Sequence, residues 1–294
     1  MTQTTSTRDA AQVTLREVEP GDTETCARIV FDAFGAIHDH HRFPRDFPVP
    51  EAAAGMMGMW IPHPDVWGVV AEVEGRIVGS NFLDERDSIR GVGPITVDPE
   101  GQNAGVGRRL MEAVLERGKD ASGIRLVQDG FHMRSLSLYT SLGFDVTASC
   151  VLMSGEPRGS AVEGVEVRPL TEDDLEECDA LCKAVHGFAR AGALRDSLAA
   201  FAPFAAVRDG RIVAYATTLT FWPMAYGVAE DEEAMKALLL GAAADEPHAL
   251  LVPLQSGLFR WCLEQGLRAV KPMNVMARGE YQEPQGSWFP SVLY

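Results

Sequence analysis

Apolar positions along the chain change period several times, and each change marks an element. Val13-Thr14-Leu15-Arg16 alternates like a half-buried strand, and an amphipathic run follows from Thr23. WGVVAEVEGRIVGSNFL, from Trp67, is two β-rich runs around Glu74-Gly75. That pair predicts a tight hairpin, because glycine reaches positive φ without strain. Ile95 to Val97 predicts a short strand stopped by Pro99. GVGRRLMEAVLERG then turns helical, with Val106, Leu110, Ala113 and Val114 on one face. IRLVQDGF predicts a strand, MRSLSLYTSLGF a helix and DVTASCVLM another strand.

The pattern then begins again. VTLREVEPGDTETCARIVFDAFG, from Val13, aligns without gaps on VEVRPLTEDDLEECDALCKAVHG, from Val165. Arg16 falls on Arg168, Asp22 on Asp174, Cys26 on Cys178 and Gly35 on Gly187. A second hairpin pattern, PFAAVRDGRIVAYATTL, turns at Asp209-Gly210. The second copy is shorter between the two matches, by about the segment around HDHHRFPRDFPVP. Two matches in one order predict tandem copies of a strand–helix–hairpin domain, over 1–155 and 162–294. The joint is the Gly/Ser/Pro-bearing stretch from Ser154 to Gly164.

Composition narrows the partners. The 294 residues are 46% hydrophobic and 23% charged, as in water-soluble globular proteins, and carry a formal charge of −16. That sign opposes phosphate contacts, so no nucleic-acid partner is expected. Solubility alone accounts for much of the charge, although it also suits cationic amines. MTQTTSTRDAAQ has no apolar signal core, and the best apolar run, ALLVPLQSGLFRWCL, is broken by Gln255 and Arg260. No membrane partner is expected. Five sparse cysteines set among apolar residues suit a reducing cytoplasm better than a disulfide framework. Cys178 and Cys182 share a helix face, but two thiols do not hold zinc without further ligands, and no metal is expected.

Gln102-Asn103-Ala104-Gly105-Val106-Gly107 lies where a strand ends and a helix begins. The first turn of a helix leaves backbone N–H groups unpaired at its electropositive end. Glycines let a bulky anion approach, and the result is a cradle for a pyrophosphate, with Arg108 and Arg109 beside it. The glycines match neither the dinucleotide fingerprint nor the P-loop. The alternative is a glycine-assisted turn with no ligand.

The order V-D-P, then Q-x-x-G-x-G, then R-R-L on a helix resembles the acyl-CoA signature of the GCN5-related N-acetyltransferase (GNAT) family. Downstream, L-Y-x-x-x-G-F, from Leu138-Tyr139 to Gly143-Phe144, is similar to the family's second motif. Together with the hairpin these elements cover roughly residues 13 to 153. The resemblance implies an α/β (α+β) fold of two tandem GNAT-like domains, each a bent, mostly antiparallel sheet with helices on both faces. It implies acetyl-CoA as cosubstrate and an N-acetyltransferase acting on a primary amine, of a small molecule or of a protein N-terminus or lysine. A CoA-binding sensor or scaffold without turnover is the non-enzymatic alternative.

Carried over by residue, the amides of Gln102, Asn103, Ala104, Gly105, Val106, Gly107 and Arg108 would hold the pyrophosphate. The backbone of Ile95, Thr96 and Val97 would pair with the pantetheine arm, and the Val97 amide would polarise the thioester. Tyr139 would protonate the departing thiolate; its other reading is an aromatic packed on the helix's inner face. The glutamate that many members carry on the strand before the loop is absent from Arg90-Gly91-Val92-Gly93. Candidate bases are Asp84, Glu85, Asp129 and His132, the last standing where the family often has asparagine. His38-Asp39-His40-His41 is expected to be a loop that shapes the acceptor site or a plain surface loop.

The second copy loses the signature. Glu230-Asp231-Glu232-Glu233 fills the helix start where CoA would need positive potential, and no tyrosine matches Tyr139. It is expected to support the first copy, by walling its acceptor cleft or forming a homodimer surface. Packing is the default for the tail aromatics Tyr281, Trp288 and Phe289.

Overall fold

A computed structural model describes residues 12–101 and 105–294. In chain order the elements are β1 (Val13–Glu17), α1 (Thr23–His41), α2 (Pro50–Trp60), β2 (Val66–Val73), β3 (Arg76–Asp84), β4 (Ile89–Val92), β5 (Thr96–Val97), α3 (Val106–Arg117), β6 (Gly123–Asp129), α4 (Met133–Ser141) and β7 (Asp145–Gly155). The repeat brings β8 (Glu166–Pro169), α5 (Leu175–His186), α6 (Ala191–Ala200), β9 (Phe204–Arg208), β10 (Arg211–Ala216), β11 (Gly227–Ala229), α7 (Glu232–Gly241), β12 (His248–Pro253), α8 (Gly257–Glu264), β13 (Arg268–Gly279) and β14 (Ser287–Phe289). The chain divides into two compact units, Met1–Leu83 with Pro94–Arg117, and Asp84–Gly93 with Gly118–Tyr294. These do not follow the repeat. The boundaries 1–155 and 162–294 therefore stand as a proposal about the sequence copies.

In the first unit β1, β2 and β3 are neighbours in one sheet, and β5 pairs antiparallel with β3. The β2–β3 turn has Glu74 and Gly75 at φ 53° and 73°, the two positive angles that its sequence predicts. The inner faces of α1 (Cys26, Ile29, Val30) and α2 (Ala53, Met57) are buried, and the two helices pack together. Helix α1 runs through His41 and stops at Arg42, which is left-handed at φ 60°. The His38–His41 segment is therefore the last turn of a helix, not a loop. The histidines suit that end, where the helix dipole favours positive charge.

The second unit holds two sheets. One runs β4-β6-β13-β7-β12, the other β14-β11-β10-β9-β8. In the first, β13 lies between β6 and β7, antiparallel to both, and β7 lies between β13 and β12. By repeat, β6 corresponds to β12, α4 to α8 and β7 to β13. The turns agree: Gly143 and Gly266 have φ of 88° and 94°, and the following amides, of Phe144 and Leu267, bond back to Tyr139 and Cys262 at 3.1 and 3.0 Å. Each copy thus lends its last strand to the other, so neither sheet is complete within its own copy.

In the other sheet β9 and β10 turn at Asp209-Gly210, with φ of 51° and 75°. A register shift between Ile212 and Ala214 turns Val213 and Ala214 toward one core. Ile212 and Tyr215 face another core with α5 and α6. Among the described residues no helix is long and apolar enough to cross a membrane.

Candidate active site

In the first unit β5 is held through Gly79↔Val97 and Ser80↔Thr96, and the Asp98 amide donates to the Val78 carbonyl at 2.8 Å. Ladder alternation then turns the Val97 N–H to the other edge of β5, away from β3. Thr96 is buried with its Oγ1 3.3 Å from Ser80 Oγ, whereas Ile95 lies outside the strand. Gly79 has to be glycine, because a Cβ there would stand 2.6 Å from the Thr96 carbonyl oxygen.

The chain enters α3 through Gly105, at φ 74°, and the Arg109 amide bonds back to the Gly105 carbonyl at 3.2 Å. The amides of Val106, Gly107 and Arg108 belong to the first turn, where no carbonyl of the helix can accept them. Among the described residues, nothing would lie within 4 Å of a Cβ on Gly105. Arg109 turns back to the Val13 carbonyl, and exposed Arg108 lies 3.8 Å from Glu112. Gln102, Asn103 and Ala104 lie outside the described residues.

In the second unit β6 ends at Asp129, and the His132 amide caps back to the Asp129 carbonyl at 2.9 Å as α4 begins. Tyr139 is the one buried side chain of α4, packed edge-on to Phe144 with centroids 6.4 Å apart. Burial, then the neighbouring charge of Asp129, pushes its hydroxyl pKa above the ordinary value, so the phenol keeps its proton at neutral pH. Asp129 accepts from Lys271 Nζ at 2.7 Å, with both side chains buried, and Lys271 also stands 4.8 Å over the Trp222 ring.

Asp84 accepts from Arg86 Nε at 2.8 Å and from its Nη2 at 2.7 Å. Burial pushes the Asp84 carboxyl up, but the hydrogen bonds and charge of Arg86 outweigh it and hold it below the usual carboxylate range. Asp84 and Asp129, two of the three candidate acids, are therefore engaged by cations. Sequence reasoning missed Arg86 and Lys271, and for Lys271 there was no local signal, since Asp129 is 142 positions away.

A family profile for the acetyltransferase (GNAT) domain matches residues 63–146, which include the hairpin, β5, α3 and Tyr139. That match assigns residues 63–146 to a GNAT-type domain. A search of curated proteins gives no match. Among solved structures, a Pyrococcus horikoshii protein assigned to the acetyltransferases superposes with TM-score 0.75 at 17% identity, over 95% of this chain and 94% of that one. A GCN5-related N-acetyltransferase of Sphaerobacter thermophilus gives TM-score 0.62 at 15% identity, over 96% and 100%. A tandem GNAT protein from the clavulanic acid biosynthesis pathway gives 0.56 at 13%, over 95% and 100%. At these identities the likeness is one of fold: a GNAT fold of two domains.

The second GNAT-like copy has closed its own helix start. Asp231 Oδ1 accepts from the Ala234 amide at 2.7 Å, capping α7. The Glu232 carboxylate accepts from the Gly257 amide at 2.7 Å, and Glu230 pairs with Arg208. Cys262 stands where the first copy has Tyr139. It is fully buried, and burial pushes its thiol up to about 12. All five cysteines are free and buried.

Proposed function

We propose that the chain is an acetyl-CoA-dependent N-acetyltransferase that acetylates a primary amine of a small molecule, with one working cofactor site. One contrast carries this reading. Helix α3 opens on left-handed Gly105 with clear space beside it among the described residues, whereas the start of α7 is capped by Asp231. A helix start entered through glycine fits a pyrophosphate, and a carboxylate-capped start repels one. In this reading Gly105 to Arg108, with Gln102, Asn103 and Ala104 by resemblance, hold the pyrophosphate. The outward amide of Val97 supports pairing of Ile95, Thr96 and Val97 with the pantetheine arm.

Transfer from a thioester to an amine needs a neutral nucleophile, a stabilised oxyanion and a proton for the leaving thiolate. Tyr139 donates that proton, a role its neutral, buried phenol supports. With Asp84 and Asp129 both held by cations, Glu85 and His132 remain as candidate bases, and His132 is tested first, since imidazole exchanges protons near neutral pH. The same two ion pairs favour a second reading, a CoA-binding protein without turnover.

Calorimetry with acetyl-CoA and thiol release with a panel of amines test the proposal. Binding with turnover that Gly105→Glu abolishes supports it. Binding without turnover on any amine favours the second reading, and no binding refutes both.

A further inference from the structure

Among the described residues, two buried arginines of the second unit have no acid of their own. Arg125 on β6 is 1% exposed and Arg190, at the start of α6, is 7% exposed. Arg125 donates to the carbonyls of Ile124 (3.2 Å) and Glu280, and its guanidinium lies 5.4 and 5.7 Å from the ring centroids of Tyr281 and Tyr294. The Arg190 guanidinium lies 4.1 Å over the Tyr226 ring. His186, itself 1% exposed, has its ring 5.5 Å from both Tyr226 and Tyr294, with Nδ1 3.2 Å from the Tyr294 hydroxyl. Arg125 Nε, Arg190 Nη1 and His186 Nε2 are all buried and unpartnered among the described residues.

Nearby acids are already engaged. Asp179 accepts the Arg190 backbone amide at 2.9 Å. Asp84, whose field reaches Arg190, has both oxygens on Arg86, which also binds Asp196 at 2.9 Å. Aromatic faces return only part of what a guanidinium loses on leaving water. Burial, followed by the charges of Arg190 and Arg125, pushes the His186 imidazole down to about 3, so it adds no charge of its own. If Tyr294 donates to Nδ1, the ring proton sits on Nε2 as a third donor.

We propose that Arg125, Arg190 and His186 form a binding site for a small carboxylate ligand. Both guanidiniums are buried cations, which suits an anion. Three unmet donors suit the two oxygens of a carboxylate, whereas phosphate would leave oxygens facing Tyr226, Tyr294 and Trp288, which lies 5.6 Å from His186. Tyr281, at 37% exposure, lies against Arg125.

The test uses the full chain without acetyl-CoA, so its outcome does not depend on acetyl transfer. Calorimetric titration with sodium acetate, at ionic strength held with sodium chloride, is expected to saturate at one site per chain. Arg190→Gln should weaken it about tenfold or more, as expected for loss of a charge-assisted bond. His186→Phe, which removes a donor but no charge, should weaken it too, and serves if Arg190→Gln does not fold. Heats indistinguishable from chloride would mean that water fills the three donors. That result, tighter binding of phosphate, or acetate binding unchanged in every folded variant would overturn the proposal.

Discussion

Asp174→Asn should cost about 1–2 kcal/mol of stability, and most of that should disappear in acid. Arg168 grips Asp174 with two bonds, Nη1 to Oδ2 at 2.7 Å and Nη2 to Oδ1 at 2.8 Å. The Thr171 amide and hydroxyl donate to Oδ2 at 2.8 and 2.9 Å. The Arg168 side chain is 34% exposed, so solvent screens the pair and its share is about 1 kcal/mol or less. The turn bonds from Thr171 add about 0.5–1.5 kcal/mol, of which asparagine keeps part. With a urea slope of about 3 kcal/mol/M, the midpoint should fall by roughly 0.5 M at pH 7. The hydrogen bonds of Arg168 outweigh burial and, with those of Thr171, hold the Asp174 carboxyl below the usual carboxylate range. A depressed carboxylate contributes stability above its unfolded pKa, about 3.9, and loses it as pH falls toward the folded value. The gap between wild type and variant should therefore narrow below about pH 4. A deficit under about 0.3 kcal/mol, or one of equal size at pH 7 and pH 2.5, would refute the argument.

Three further outcomes are expected. Tyr139→Phe should lower turnover about 10²-fold with acetyl-CoA affinity little changed; an equal loss in affinity would make the tyrosine a packing residue. Gly79→Ala should destabilise by about 1–3 kcal/mol, because its Cβ meets the Thr96 carbonyl oxygen at 2.6 Å, and thermal unfolding at neutral pH reads it. The His186 ring should stay neutral from pH 7 to about pH 4 by NMR, since its value is pushed down to about 3. Its unfolded counterpart protonates near 6.5, so this group subtracts stability as pH falls between the two values, and a midpoint near 6.5 in the folded protein would contradict the burial.

The repeat was legible because its residues act locally. Arg16 holds Asp22 at 2.7 and 3.0 Å much as Arg168 holds Asp174, and the Glu19 and Thr171 amides each donate to the aspartate at 2.8 Å. Such a clamp needs only a fixed spacing, so an ungapped alignment finds it. The hairpin turns and the start of α3 were equally visible, each being set by a glycine and its neighbours. Helices α2 and α6 were not named, and His38–His41 looked like a loop. There Nδ1 of His38 meets the Phe34 carbonyl at 2.8 Å, and its Nε2 lies 3.4 Å from Asp46, contacts that polarity along the chain does not announce.

The sequence alone determined most of the strands and helices, that the pattern occurs twice, and that the segment Gln102–Gly107 and Tyr139 belong to the first copy, with acids at the matching helix start of the second. Period, turn chemistry and capping act over a few residues, so they are written in order along the chain. Tertiary structure decided that β13 enters between β6 and β7. It also decided that Asp129 meets Lys271 and that two arginines are buried among aromatic rings. Those outcomes depend on strand order and burial, which bring together residues that no short stretch of sequence connects.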